Sequence, residues 1–110
     1  MKNLGDIDPK EVLKGSEFFE VLAQGRGARV ERIVSNAAAS PEGFWYDQPE
    51  DEFVAVVSGS AKIQFERELV EMRQGDWLLI EKHRKHRVAE TSENPPCVWL
   101  AVFGDFSAGR

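Results

Sequence analysis

Trp45-Tyr46-Asp47-Gln48-Pro49-Glu50-Asp51-Glu52 runs directly into the apolar stretch Phe53-Val54-Ala55-Val56-Val57. Further along, Gly75-Asp76 leads into Trp77-Leu78-Leu79-Ile80 and then into Lys82-His83-Arg84-Lys85-His86-Arg87. Each polar cluster is attached to a strand-like run, so rigid elements would carry a carboxylate from the first and an imidazole from the second into a shared interior. That arrangement is how a pocket is built between strands.

Working outward, the chain from residue 18 onward reads as short β-prone runs with no sustained 3.6-residue period. The predicted strands are 18–22, 29–35, 44–46, 53–57, 61–66, 69–73, 77–80, 86–90 and 98–103. Turn residues separate them at Gly25-Arg26-Gly27, Pro41-Glu42-Gly43, Ser58-Gly59-Ser60, Gln74-Gly75-Asp76 and Asn94-Pro95-Pro96. Apolar and polar residues alternate strictly in Ala61-Lys62-Ile63-Gln64-Phe65-Glu66, the pattern of a strand with one face inward. The run 69–73 is placed to pair with it as a hairpin through Arg67 and Glu68. Strands at this spacing fit an all-β sandwich or closed barrel, and composition does not choose between them. One short helix is predicted over 9–14, with Asp8 as N-cap, Pro9 at the first position, Glu11 at the third and Gly15 as terminator. The alanines Ala37, Ala38 and Ala39 suggest a loose connection at the mouth of the barrel.

With 110 residues, 42% of them hydrophobic and 30% charged, the chain has the size and composition of one soluble globular domain. We expect a single domain over 1–110 whose core spans about 29–103, with 1–28 supplying the helix and an edge strand. The net charge of −5 opposes broad capture of nucleic acid or anionic lipid. The basic run 82–87, flanked by Glu81 and Glu90, reads as a solvated turn. No apolar stretch approaches the roughly 18 residues of a membrane span. The opening residues are polar rather than leader-like, and the one cysteine, Cys97, forms no intrachain disulfide, so the cytoplasm is the expected compartment. Cys97 lies beside Val98-Trp99-Leu100 and reads as a buried strand residue, not a nucleophile. Phe44, Trp45, Trp77, Trp99 and Phe103 read as core or rim aromatics.

Across roughly 29–103 the chain resembles the cupins, the double-stranded β-helix (RmlC-like jelly-roll) family. The family's first motif is a His-any-His pair, three or four residues, Glu, six residues and Gly; here Glu52 and Gly59 match. A three-residue spacer puts Gln48 and Tyr46 at the histidine positions, and a four-residue spacer puts Asp47 and Trp45 there, so both imidazoles are replaced. In the second motif Gly75 and His86 match, while Glu81, His83 and Glu90 stand where the family has Pro, Gly and Asn. The resemblance implies an all-β cupin barrel with Glu52 and His86 inside it.

In metal-binding cupins the motif residues converge on one divalent ion. Carried over residue by residue, the resemblance implies metal ligation by Glu52 and His86, with Gln48 adding a neutral oxygen and Tyr46 or Asp47 a charged one if deprotonated. The ion would be Zn, Mn, Fe or Ni, and His83 would be available as a further nitrogen ligand. A plain Glu52–His86 hydrogen bond, or an arginine such as Arg87, would equally compensate the buried carboxylate without any metal. Three functions follow: a metal-dependent enzyme in which Glu52 or His86 moves a proton, a module that binds a sugar or acidic metabolite without transforming it, and, as in sugar-epimerising cupins, metal-free acid–base catalysis with His86 as base and Tyr46 as acid. No nucleotide-binding motif is present. The expected partners are a small-molecule ligand and a second copy, since small cupins often pair through an edge strand and 18–22 would otherwise be an open edge.

Overall fold

The computed structural model describes residues 1–107. Eight strands are present among them: β1 Glu17–Gly25, β2 Ala28–Ser35, β3 Asp51–Ser58, β4 Ser60–Phe65, β5 Leu69–Arg73, β6 Trp77–Ile80, β7 His86–Thr91 and β8 Cys97–Gly104. They form a five-stranded sheet in the order β1-β2-β8-β3-β6 and a three-stranded sheet in the order β5-β4-β7. All pairings are antiparallel. The two sheets face each other as a jelly-roll, which selects the barrel over a simple sandwich.

The inward-facing residues of both sheets make the core. Val54 and Val56 of β3, Ala61, Ile63 and Phe65 of β4, Met72, Ile80, and Cys97, Trp99, Ala101 and Phe103 of β8 pack as one buried cluster. In β4 the alternation predicted from sequence is realised, with Ala61, Ile63 and Phe65 buried and Lys62 and Gln64 half-exposed. A second, smaller cluster of Val12, Val34 and Val98 lies on the other face of the large sheet, with Ile7 and Phe18 packed against it. The N-terminal segment therefore covers that outer face. Arg32 fastens it by donating to the carbonyl of Leu4 at 3.1 Å, and Asn36 by donating to that of Val12 at 3.2 Å.

The predicted helix over 9–14 does not form; no helix occurs among the described residues. Asp8 does act as a local cap, its Oδ1 accepting the Lys10 N–H at 2.9 Å and its carbonyl the Glu11 N–H at 3.0 Å. The segment stops at that turn. So few residues cannot recover the cost of helix nucleation, and Gly15 donates instead to the carbonyl of Asn36 at 2.6 Å. The predicted strand 44–46 reduces to a single bridge between Tyr46 and His86. The alanines 37–39 are not loose: the Ala38 amide and carbonyl both bond Thr91 Oγ1, at 2.8 and 2.6 Å, and Ser40 N–H reaches the Val88 carbonyl at 2.8 Å. This connection is stitched along β7.

Gly59 turns the chain from β3 into β4 at φ +77°, and a Cβ there would stand 2.5 Å from the Pro96 carbonyl oxygen and 2.9 Å from Cys97 Cα. Conformation and space both demand glycine. Asp51, at the start of β3, accepts the backbone N–H groups of Lys82 and Phe106, each at 2.8 Å. These bonds tie three chain segments together and, led by the Phe106 N–H, hold the Asp51 carboxyl below its ordinary value of 3.8.

Gly59→Ala is expected to cost about 2 kcal/mol or more in chemical denaturation, from backbone strain plus overpacking. For Asp51, the depressed folded-state value means its contribution is fully present above the unfolded carboxyl's titration and fades as pH falls through the lower folded one. The stability gap between wild type and Asp51→Asn, followed by urea melts, is therefore expected to be constant near neutrality and to close in strong acid. A gap that widens on acidification would refute this role.

Candidate functional site

Glu52 is the second residue of β3, flanked by Ile80 of β6 and Phe103 of β8. His86 opens β7, opposite Phe65 of β4. Because these strands belong to different sheets, their inward side chains meet in the gap between them. His86 Nε2 stands 3.6 Å from Glu52 Oε1, with side-chain exposures of only 6% and 10%. A carboxylate from the middle of the chain and an imidazole from its later third thus share one cavity.

The tautomer of His86 follows from its other nitrogen. Nδ1 lies 2.9 Å from the carbonyl oxygen of Arg84. A carbonyl can only accept, so Nδ1 carries the proton and donates it. In the neutral ring the Nε2 lone pair then faces Glu52. Two acceptors at this distance repel unless a proton lies between them or a ligand brings a donor. The ring plane is held by Tyr46, stacked at 5.4 Å, and by Phe65, tilted at 6.1 Å.

Tyr46 owes its place to paired backbone bonds with His86: Tyr46 N–H to the His86 carbonyl at 2.7 Å and the reverse at 3.1 Å. Alternation from this bridge brings Tyr46 and Gln48 to the cavity, which Glu52 and His86 also line. Trp45 remains partly exposed, and Asp47 points away to pair with His83 at 2.8 Å. The three-residue spacer is the correct alignment. Burial, and then the nearby carboxylates of Glu17 and Glu52, raise the Tyr46 phenol above its ordinary value, so it stays protonated and does not supply the charged oxygen considered above.

Other expectations sort themselves similarly. Arg87 does not reach Glu52; its Nη2 donates to the Ser40 carbonyl at 2.7 Å. His83 lies outside the cavity lining. Its backbone has φ +64°, in the left-handed region where the second motif has glycine. Cys97 is fully buried, and burial pushes its thiol up to about 12, which makes it structural. Trp99 and Phe103 are core residues, whereas Trp77 is exposed and tilted against Phe53 on the outside.

One cavity residue was absent from the sequence reading. Glu17, at the start of β1, lines the same pocket beside Phe19. Its Oε2 accepts the Ser35 hydroxyl proton at 2.5 Å, and Ser35 Oγ accepts the Trp99 indole N–H at 3.1 Å. The cavity measures about 70 Å³, room for roughly two waters at ~30 Å³ each. Its walls are otherwise apolar, with Ile33, Val54, Ile63, Ile80 and Val88. Among the described residues that line it there is no lysine or arginine.

The family model for the cupin domain matches residues 34–103. The chain is a cupin. Its fold and sequence are similar to a protein from Ralstonia eutropha JMP134 provisionally named a mannose-6-phosphate isomerase, with 47% identity, a TM-score of 0.84, and coverage of 96% of this chain and 98% of that one. At the level of fold alone it is similar to KdgF from Halomonas sp., with 18% identity, a TM-score of 0.70, and coverage of 93% and 86%. A cupin from Bacteroides fragilis gives 22% identity, a TM-score of 0.65, and coverage of 100% and 91%. A search of curated proteins finds no match.

Cupins commonly bind metal ions, so the donor set of this cupin was weighed against one. Catalytic sites for a tightly held ion usually offer three protein ligands. Here Glu52 and His86 are strong donors and Gln48 adds only a neutral amide oxygen. Among the described residues, no three His, Cys, Asp or Glu side chains gather as a metal-binding group. The set does not fit a firmly resident ion.

Proposed function

We propose that this cupin binds a small polar metabolite without an anionic group, with one end in the cavity, and that the Glu52–His86 pair moves a proton on it. The observation that carries the reading is the position of His86 Nε2, 3.6 Å from a nearly buried carboxylate, with Nδ1 held by the Arg84 carbonyl. Such an imidazole is a base whose acceptor needs are unmet until a ligand arrives. Glu52 would stabilise the imidazolium that forms, and the Tyr46 hydroxyl would donate to an oxygen on which charge develops.

The name of the Ralstonia eutropha neighbour suggests sugar isomerisation, a reaction in which a base takes a proton from the carbon beside a carbonyl. That chemistry suits His86. The phosphate half of the name finds no counterpart here, because no basic side chain lines the cavity among the described residues. An unphosphorylated aldose or ketose is the better substrate class.

Exchange of the C2 hydrogen of mannose in deuterated water reads proton abstraction without knowledge of the product. Wild type is expected to catalyse it, and His86→Ala and Glu52→Gln to lower the rate by about 10²–10⁴. Binding of mannose without exchange would replace catalysis by a non-catalytic binding module. Exchange untouched by either substitution would remove the pair from the mechanism.

A second reading keeps a divalent ion on Glu52, His86 and Gln48, and the orientation of His86 favours it, since a metal-bound imidazole also donates its other N–H to a fixed acceptor. Metal analysis of protein purified without chelator or affinity tag separates the two. The donor set predicts substoichiometric metal, unchanged in His86→Ala; a full equivalent lost in that variant would establish the ion.

A further inference from the structure

We propose that Glu17 is a second recognition carboxylate, which with Glu52 makes the pocket select ligands bearing hydroxyl or ammonium donors and reject phosphates and carboxylates. This inference rests on the reading of the Glu52–His86 pair as a ligand site, and adds the chemical class that the site takes.

Glu17 is held in place from inside the core. Trp99 Nε1 can only donate, so Ser35 Oγ receives it and has its single proton left for Glu17. The direction of the chain is fixed from indole to hydroxyl to carboxylate. Ser35 is fully buried and Trp99 is 3% exposed, so this support excludes water. The proton of Ser35 occupies one Glu17 oxygen; the other has no hydrogen-bond partner among the described residues. Across the pocket, Glu52 is nine-tenths buried and makes no hydrogen bond within 3.5 Å among the described residues; its polar neighbour is His86 Nε2 at 3.6 Å, which presents a lone pair when the ring is neutral. The free oxygens of these carboxylates open on the pocket, so water or a ligand there supplies their donors.

The inventory of polar groups then sets the class. Glu17, Glu52 and neutral His86 present acceptors, and the Gln48 amide and Tyr46 hydroxyl each offer both functions. A neutral polyol can satisfy these acceptors through its hydroxyl protons, and an ammonium group can do so with charge assistance. A phosphate would place its oxygens against two carboxylates with no cationic side chain to offset them. The small, partly open volume restricts the buried part to the end of the molecule, leaving the rest toward the exposed Phe19.

Mannose, mannosamine and mannose 6-phosphate carry closely related skeletons as neutral, cationic and anionic probes. Their binding to the full chain can be followed by NMR at slightly acid pH, using the Trp99 indole resonance as the reporter nearest to Glu17. The expected order is mannosamine, then mannose, with mannose 6-phosphate weakest. Glu17→Gln, which can still accept the Ser35 proton, should reduce the preference for mannosamine over mannose about tenfold. Glu17→Lys should admit the phosphate. Phosphate binding equal to that of mannose in wild type, or an unchanged preference in Glu17→Gln, would overturn the proposal. If Glu17→Lys does not fold, the wild-type order and the isosteric variant decide. Binding lost in Glu52→Gln but indifferent to Glu17 would sink only this inference, whereas no response of the pocket resonances to any sugar would sink the site reading as well.

Discussion

A carboxylate and an imidazole facing each other across the core, with almost no access to water, is the constraint around which this cupin is organised. Removing one such ion from water costs several kcal/mol after relaxation. The structure meets the demand of Glu52 and His86 only in part. Arg84 satisfies one nitrogen of the ring and the flanking aromatics hold its plane, while the facing atoms are left for a proton or a guest. The bridge that brings Tyr46 beside His86 also sets the alternation that delivers Gln48 and turns Asp47 outward. One pair of backbone bonds thereby decides three side-chain orientations.

The strands were legible wherever one face met water, as in β4, because burial on one side alone writes a period of two into the sequence. Glu52, Gly59, Gly75 and His86 were legible through their spacing, and for Gly59 the physical basis is visible in the backbone it approaches. Glu17 was hidden for the opposite reason. Phe18 packs on the outer cluster and Phe19 lines the pocket, so the alternation at the start of β1 is masked by two apolar neighbours. The segment 9–14 carried an authentic capping signal at Asp8, but a cap describes one turn and says nothing of whether enough residues follow to sustain a helix.

The basic run 82–87 shows a related limit. Its charges are answered by acids distant in sequence: Lys82 by Asp105, His83 by Asp47 and Arg84 by Glu68. Arg84 also lies 3.7 Å over the ring of Phe65. Exposed pairs of this kind contribute little to stability. Their consequence is geometric, because they orient the turn whose Arg84 carbonyl sets the tautomer of His86. The stretch read from sequence as a solvated turn is exposed as expected, and its Arg84 carbonyl also frames the pocket.

The partition of charge bears on function more directly than the likeness of fold does. One barrel hosts many unrelated chemistries, and the identity of what enters depends on the groups that line it. Here Lys82 and Arg84 of that turn are paired outside, and the cavity walls carry carboxylates without a cationic side chain among the described residues. In a low-dielectric enclosure such an imbalance is felt strongly by any charged guest. Edge strand β1 adds to it, since Glu17 enters the site from the sheet's margin yet is anchored through Ser35 to the central strand β8. A side chain of a peripheral strand is thereby positioned at the cavity by the packing of Trp99 in the core, and on the proposed reading selectivity would be coupled to that packing.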